Sequence, residues 1–306
     1  MGMNGVLRPG HAAIRVLDLE PAVTYYIEVM GLIETARDDR GRVYLKAWDE
    51  HDHHSLVLRE ADSPGLDYMG FKVVDDATLD AMAAGLAARG VAIEAVPAGE
   101  HVGTGRRVRF RVPTGHAFEL YAHKDIVGNG MPTMNPGIRP DALKGIAPVR
   151  LDHALMYGAD LDGTVALFTE VLGFQVTESV AAGDTVIAAF LSCGAKVHDI
   201  AFVRQPADGK LHHIAFYVDS WDDVLRAADT IAANDVSHDL GPTRHGISRG
   251  QTVYCFDPSG NRNEVFTGGY MWYPDRPPLK WTADELPRAL FIHERKLRDS
   301  FMSVVT

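Results

Sequence analysis

His153, His213 and Glu264 place two imidazoles and a carboxylate along the C-terminal half of the chain. Imidazole nitrogen and carboxylate oxygen together suit a divalent transition metal. A set of three leaves coordination positions open, the facial arrangement that supports non-haem Fe(II) oxygen chemistry, and Mn(II) can occupy the same ligands. A lone histidine in a strand is more often structural than a metal ligand. What lifts these three above that background is their position in an internal repeat.

The stretch GHAAIRVLDLEPAVTYYIEVMGLIET at 10–35 parallels DHALMYGADLDGTVALFTEVLGFQVTE at 152–178. Both read as a strand beginning at a histidine, a turn, and an amphipathic helix ending at glycine. Pro21 suits the opening helical turn and Gly31 the C-terminal cap. Extended pairs follow: RVYLKAW with SLVLRE, and DTVIAAFLS with HDIAFVR. Further on, LDYMGFKVVD at 66–75 parallels LHHIAFYVDS at 211–220, each leading into an Ala-rich helical stretch. Ser220 and Asp223 form a capping box for the later one. Both halves close with a hairpin, at 106–121 and 251–266, and Asp257-Pro258-Ser259-Gly260 suits a type I turn.

The predicted fold is α+β, with four βαβββ modules paired into two tandem barrel-like domains, because a lone module would leave one sheet face bare. The first domain spans 1–136 and the second 147–306, joined within the Gly- and Pro-rich stretch 124–148. A tail after Gly269 has no counterpart in the first half. Its WTADELPRALFIHERKLRDSF segment reads as helical, and it would cover the domain or touch another subunit.

The repeat supplies its own comparison. His153 corresponds to His11, His213 to Tyr68 and Glu264 to Glu119, the last two pairs sharing one offset. Only the second half carries the full ligand set, so the working site belongs in 147–268 and the first half is a retired copy. Strand alternation puts Ile214, Phe216 and Val218 on the face of His212, leaving His213 toward the interior. His198 at a strand start, His245 in a polar loop and Tyr254 in a strand are each ambiguous by themselves. His51, Asp52, His53 and His54 read as a solvated loop. Arg106, Arg107, Arg109 and Arg111 read as a salt-bridged strand. Cys255, facing away from Tyr254, reads as a small buried hydrophobe. Asn261 and Arg262 shape the hairpin or a loop contact.

A net charge of -11, from 30 basic and 41 acidic side chains, argues against nucleic acid as a partner. No apolar run approaches membrane-spanning length and the first residues have no secretory h-region. Two cysteines without CxxC spacing fit the reducing cytoplasm.

RPGHAAIRVLDLE, GRVYLKAW, YMGFKVVD, VRLDHALMYG, GPTRHG and YCFDPSGNRNEVF together carry a family resemblance. Over nearly its whole length the chain resembles the type I extradiol dioxygenases of the vicinal oxygen chelate superfamily, whose modules have the glyoxalase-like fold. The resemblance implies Fe(2+), with Mn(2+) as a substitute, on His153, His213 and Glu264. It assigns acid–base work to His198 and substrate hydrogen bonding to His245 and Tyr254. The implied reaction is meta cleavage of monocyclic catechols by O2 to 2-hydroxymuconate semialdehydes, in aromatic compound degradation, by a homotetramer. The alternatives are a bicyclic diol such as 2,3-dihydroxybiphenyl, another metal-dependent chemistry on the same fold, or a metal-free ligand-binding protein. Duplication, the three accessory residues and the tail weigh against the other metal-dependent chemistry, and two histidines with a glutamate at ligand positions weigh against the binding protein.

Overall fold

A computed structural model describes residues 5–306; the first four, where the sequence places the start of the first domain, lie outside the described residues. The first half supplies β1 (Val6–Val16), β2 (Ile33–Arg37), β3 (Arg42–Lys46), β4 (Leu56–Glu60), β5 (Gly65–Val73), β6 (Ile93–Val96), β7 (Arg107–Arg111) and β8 (Ala117–Tyr121). They form one sheet in the order β2-β3-β4-β1-β5-β8-β7-β6. The second half supplies β9 (Arg150–Gly158), β10 (Gln175–Ala182), β11 (Thr185–Ser192), β12 (Ile200–Arg204), β13 (Lys210–Tyr217), β14 (His238–Arg244), β15 (Gly250–Phe256) and β16 (Arg262–Gly268). Their order is β14-β15-β16-β13-β9-β12-β11-β10, with the tail strand β17 (Leu279–Thr282) added beside β10. This is the α+β tandem-module fold.

The two sheets share one register. Ala12 on β1 lies opposite Leu56 on β4, as Ala154 on β9 lies opposite Ile200 on β12. Gly70 pairs with Glu119, as Ala215 pairs with Glu264. The helices α1 (Leu19–Thr24), α2 (Asp76–Ala88), α3 (Leu161–Glu170) and α4 (Trp221–Ala233) each follow the first strand of a module. Ser220 caps α4 by accepting from Asp223 N at 3.2 Å.

The helices bind the halves together rather than serving each alone. A π turn follows α1, and from it Tyr25 reaches Cys255 Sγ at 3.3 Å while Tyr26 donates to Asp257 at 3.2 Å, both in the second half. In return, Phe168 on α3 packs against Phe71 and Phe118 of the first sheet, with centroids 6.2 and 5.1 Å apart. A single apolar core therefore spans both sheets. Each fully buried phenylalanine in it contributes roughly 1.5–3 kcal/mol. Cys255 is one of the small buried residues of that core.

Three local expectations need correction. The strands begin before their histidines, at Val6 and Arg150. The tail is no continuous helix: β17, a 3-10 turn and the short helices α5 (Leu286–Leu290) and α6 (Asp299–Ser303) replace it. Pairing with β10 and the bond from Trp281 to Glu178 Oε2 at 2.8 Å hold that stretch extended. The 51–54 run is buried apart from His51: Asp52 accepts from Arg8 at 2.7 Å and Lys72 at 2.9 Å, and the linker bonds over it through Asp125 O. Two cations and the overlying linker replace the water that would otherwise solvate it.

The arginine strand is salt-bridged as expected. Arg107 and Arg109 both lie on Glu119, at 2.9 and 2.6 Å.

Candidate metal centre

Neighbouring strands of the second sheet bring His153 from β9, His213 from β13 and Glu264 from β16 together. Their ligand atoms all lie within 4.8 Å of one another. His153 Nε2 and His213 Nε2 stand 2.9 and 3.2 Å from Glu264 Oε2. Yet His213 Nε2 and Glu264 Oε2 make no hydrogen bond, and all three side chains are buried. Buried polar atoms rarely stay unpartnered.

What lies behind each ring settles where its proton sits. His153 Nδ1 donates to Asp152 Oδ2 at 2.9 Å, which leaves Nε2 as a bare lone pair. His212 Nε2 donates to the Phe301 carbonyl at 2.6 Å, so its Nδ1 accepts from His213 Nδ1 at 2.7 Å. His213 Nε2 is therefore bare as well. Outer partners of this kind orient ligand histidines and raise their basicity. A carboxylate oxygen and two imidazole lone pairs, aimed inward without protons between them, fit a divalent cation.

Asp152 and His212 were not singled out by sequence, and both owe their roles to β-bulges. Opposite β13, the register skips Asp152, pairing Ala215 with His153 and Phe216 with Leu151. Opposite β9 it skips His212 in the same way. A bulge breaks strict alternation and re-aims side chains. His212 accordingly leaves the face of Ile214 and Phe216, contrary to the alternation argument, and lies between Tyr157 and Phe301. His213 faces the cavity as expected. The HisHis doublet was a visible signal for a bulge; the AspHis pair gave none.

His198, His245 and Tyr254 line the same cavity as the three candidate ligands. His198 packs against His153 with ring centroids 4.2 Å apart, and its buried Nδ1 has no hydrogen-bond partner. His245 Nδ1 donates to the Leu290 carbonyl, so Nε2 of the neutral ring accepts from the Tyr254 hydroxyl at 2.9 Å. The remaining wall is apolar: Leu155, Phe190, Ile247, Phe266 and, from the tail, Leu290 and Phe301. Among the described residues, no lysine or arginine lines it. Arg262 serves structure instead, donating to the carbonyls of His212, Ser300 and Val304 and so pinning the tail to β13.

Charge is strongly biased here. Burial disfavours the His153 imidazolium, but before a cation binds Asp152 and Glu264 outweigh it and pull the group up to about 9; a bound cation would displace the Nε2 proton and leave the lone pair described above. Burial holds His213 down at about 4 despite Glu264. Burial would raise Glu264, yet the facing His153 and His213 imidazoles hold it well below the usual carboxylate range. Burial, then the charge of His153, keeps His198 neutral far below its ordinary value. Burial and then Glu264 push the Tyr254 hydroxyl well up.

The cavity is small, about 40 Å³. A larger one of about 470 Å³ lies between the halves, lined by Arg8, Asp49, Asp52, Arg150, Lys196 and Asp199 among others, and none of the three ligand candidates reaches it. Chemistry rather than volume identifies the site.

The fold and this convergence of lone pairs define a metal-dependent enzyme of the vicinal oxygen chelate type. Residues 66–125 match the family described as catechol 2,3-dioxygenase-like N-terminal domain. Residues 150–265 match the glyoxalase/bleomycin resistance protein/dioxygenase superfamily. The chain is 54% identical to a metapyrocatechase of Pseudomonas sp. (strain CF600) over 305 residues, 99% of each chain. It is 32% identical to a manganese-dependent 2,3-dihydroxybiphenyl 1,2-dioxygenase of Geobacillus genomosp. 3, covering 92% of this chain and 91% of the relative. Among solved structures, the 2,3-dioxygenase LapB of Pseudomonas sp. KL28 superimposes with a TM-score of 0.91 at 53% identity, covering 92% of this chain and 99% of that one. Homoprotocatechuate 2,3-dioxygenase of Brevibacterium fuscum, complexed with 3,4-dihydroxyphenylacetate, gives 0.90 at 27% identity, covering 99% and 93%. The chain belongs to the extradiol ring-cleavage dioxygenases of the vicinal oxygen chelate superfamily.

Proposed function

We propose that this enzyme opens monocyclic catechols beside one of their hydroxyls, with Fe(2+) held by His153, His213 and Glu264 in a catalytic half at 147–306. The half at 1–136 is non-catalytic in this reading. The observation that carries it is the pair of bare Nε2 atoms facing Glu264 Oε2 in an apolar cavity. Both atoms of O2 enter the product: the ring C–C bond breaks, and the two new oxygens end in the carboxyl and aldehyde sides of a 2-hydroxymuconate semialdehyde.

When bound, a divalent ion supplies Lewis acidity toward the diol and a template for the two reactants. The protein's own groups do the rest. Tyr254 O–H and His245 Nε2 form a joined pair able to hold a catechol oxygen in one orientation. His198, neutral and with Nδ1 unengaged, takes a proton as the diol binds and returns it as the ring opens. Phe190, Ile247, Leu290 and Phe301 exclude water around them.

The wall also bears on substrate choice. With no lysine or arginine among the described residues lining the cavity, a ring carrying a carboxylate lacks a permanent cationic partner and suffers the cost of a poorly paired buried charge. Catechol and alkylcatechols therefore fit better than 3,4-dihydroxyphenylacetate. The small volume favours one ring over 2,3-dihydroxybiphenyl.

Two unpaired buried cysteines support a reducing, cytoplasmic setting, and no described helix is long and apolar enough to cross a membrane. Exposed Ile126, Val127, Met134 and Ile138 in the linker support a homotetramer in which neighbouring chains cover them. Light scattering of the purified protein tests that assembly.

The decisive assay loads the protein anaerobically with Fe(II) or Mn(II), adds catechol, and admits air. Rapid yellowing with matching oxygen uptake is expected for Fe(II), and chelation before loading abolishes it. Iron-loaded protein that leaves catechol, 2,3-dihydroxybiphenyl and 3,4-dihydroxyphenylacetate untouched overturns the reading.

A further inference from the structure

Lys196 lies outside the catalytic constellation, on the turn between β11 and β12 that ends at His198. Its ammonium reaches Asp199 Oδ1 at 3.0 Å and Asp152 Oδ1 at 3.2 Å, and it also donates to the Asp152 backbone carbonyl. Both carboxylates are almost wholly buried, with side chains 3% and 2% exposed, while Lys196 itself is 29% exposed. Asp152 is the group that fixes the proton of the ligand candidate His153. Asp199 follows His198 and takes up the Cys193 amide at 2.8 Å and the Ser192 hydroxyl at 3.1 Å, closing the same turn.

One half-buried cation thus joins the strand carrying a candidate metal ligand to the turn carrying the candidate acid–base histidine. We propose that Lys196 is a positioning residue: it clamps Asp152 and Asp199 and so sets both the orientation of His153 and its 4.2 Å packing against His198. The inference rests on the metal and acid–base roles given under Proposed function.

The repeat strengthens it. With Ala12–Leu56 matching Ala154–Ile200, the counterparts of Asp152, Lys196 and Asp199 in the first half are Gly10, Asp52 and Ser55. All three charges are absent or reversed there. The first half keeps histidines at both places, His11 and His54, but their centroids stand 5.6 Å apart. A side chain at position 10 would meet the Tyr121 hydroxyl at 2.0 Å, so that half has no room for the carboxylate. The clamp exists only where the ligands do.

A general structural role for Lys196 would lower stability alone. The clamp predicts more. Lys196→Met should fold, by circular dichroism and melting, yet bind Co(II) about 10- to 100-fold more weakly with an altered visible spectrum, the range found when outer partners of metal ligands are lost. In the iron-loaded enzyme kcat should fall by about tenfold or more with little change in KM, and Lys196→Arg should recover most of both losses. Lys196→Gln replaces Lys196→Met if the latter does not fold. Co(II) affinity, spectrum and kcat of a folded Lys196→Met or Lys196→Gln protein within about twofold of the parent overturn the proposal. So does failure of Lys196→Arg to improve on Lys196→Met. Because Co(II) binding needs no turnover, it tests the clamp even if the parent leaves every diol untouched, an outcome that instead removes the proposed reaction.

Discussion

The two halves of this molecule have the same strands in the same register, yet opposite electrostatics at the same place. In the second half, Glu264 meets two imidazoles and the Tyr254–His245 pair, and among the described residues no lysine or arginine lines the cavity. In the first, Glu119 also meets an imidazole, His11 Nε2 at 3.2 Å, but Arg107 and Arg109 lie on its two oxygens. Arg109 stands where Tyr254 stands in the other sheet, each opposite the glutamate. Lys124 Nζ also lies 3.1 Å from His11 Nδ1, though burial pushes its ammonium well below the usual lysine range. The first half has kept much of the ligand geometry and filled the place of a metal cation with protein cations. A carboxylate buried in a sheet must be neutralised by something; duplication let the two copies choose differently.

The largest contrast should come from the two glutamates. Glu264→Gln is expected to weaken metal binding more than about 100-fold, beyond the range for outer partners, with a folded protein; Glu119→Gln should keep metal and turnover but lose about 1–3 kcal/mol of stability, because Arg107 and Arg109 lose their shared buried carboxylate and keep only Glu100 and Glu94. Metal titration and chemical denaturation of both variants read this out. Equal metal loss in both would erase the distinction between the halves.

The paired histidines come next. His198→Phe should retain iron and slow ring opening by about two to four orders of magnitude. His54→Phe, at the matching place in the first half, should leave kcat unchanged. Full activity in an iron-replete His198→Phe protein would remove its acid–base assignment.

Acid should sharpen the same contrast through stability. His54 is held far below its ordinary value by burial and then by Lys124, and His116 is pushed down to about 4 mainly by burial. Such histidines bind a proton in the unfolded chain before the folded one, so stability is lost as pH falls below 6.5. For His116 the loss builds between 6.5 and about 4 and reaches ~3 kcal/mol. His116→Gln should flatten that part of the profile; an unchanged slope would contradict it.

Much of this was legible in sequence because a duplicated chain annotates itself. The convergence of the candidate triad, the capping Ser220, the Asp257 turn and the salt-bridged arginines all follow local pattern or repeat spacing. One signal was present but unread: aligning HDIAFVR with HSLVLRE puts His54 under His198, which marks 51–54 as part of a former site rather than a solvated loop. Other features depend on long-range packing that no local pattern carries. The bulges at Asp152 and His212 come from sheet register, and the first sheet skips Gly10 and Asp67 at the same points. The broken tail is dictated by its seat on β10 and Arg262, not by its helical periodicity.

The smallest effect is the most instructive. Tyr68→His would complete a His, His, Glu set in the first half, yet metal stoichiometry should stay at one per chain while Arg107, Arg109 and Lys124 remain; a second bound metal would show that the missing ligand, not the local charge, had silenced that half.

Anomalous scattering at the iron edge, from crystals of the Fe(II)-loaded enzyme, tests the central claim most directly. One peak per chain between His153, His213 and Glu264 is the result predicted here. A peak beside Glu119, or none at Glu264 in crystals of protein that cleaves catechol, would contradict it.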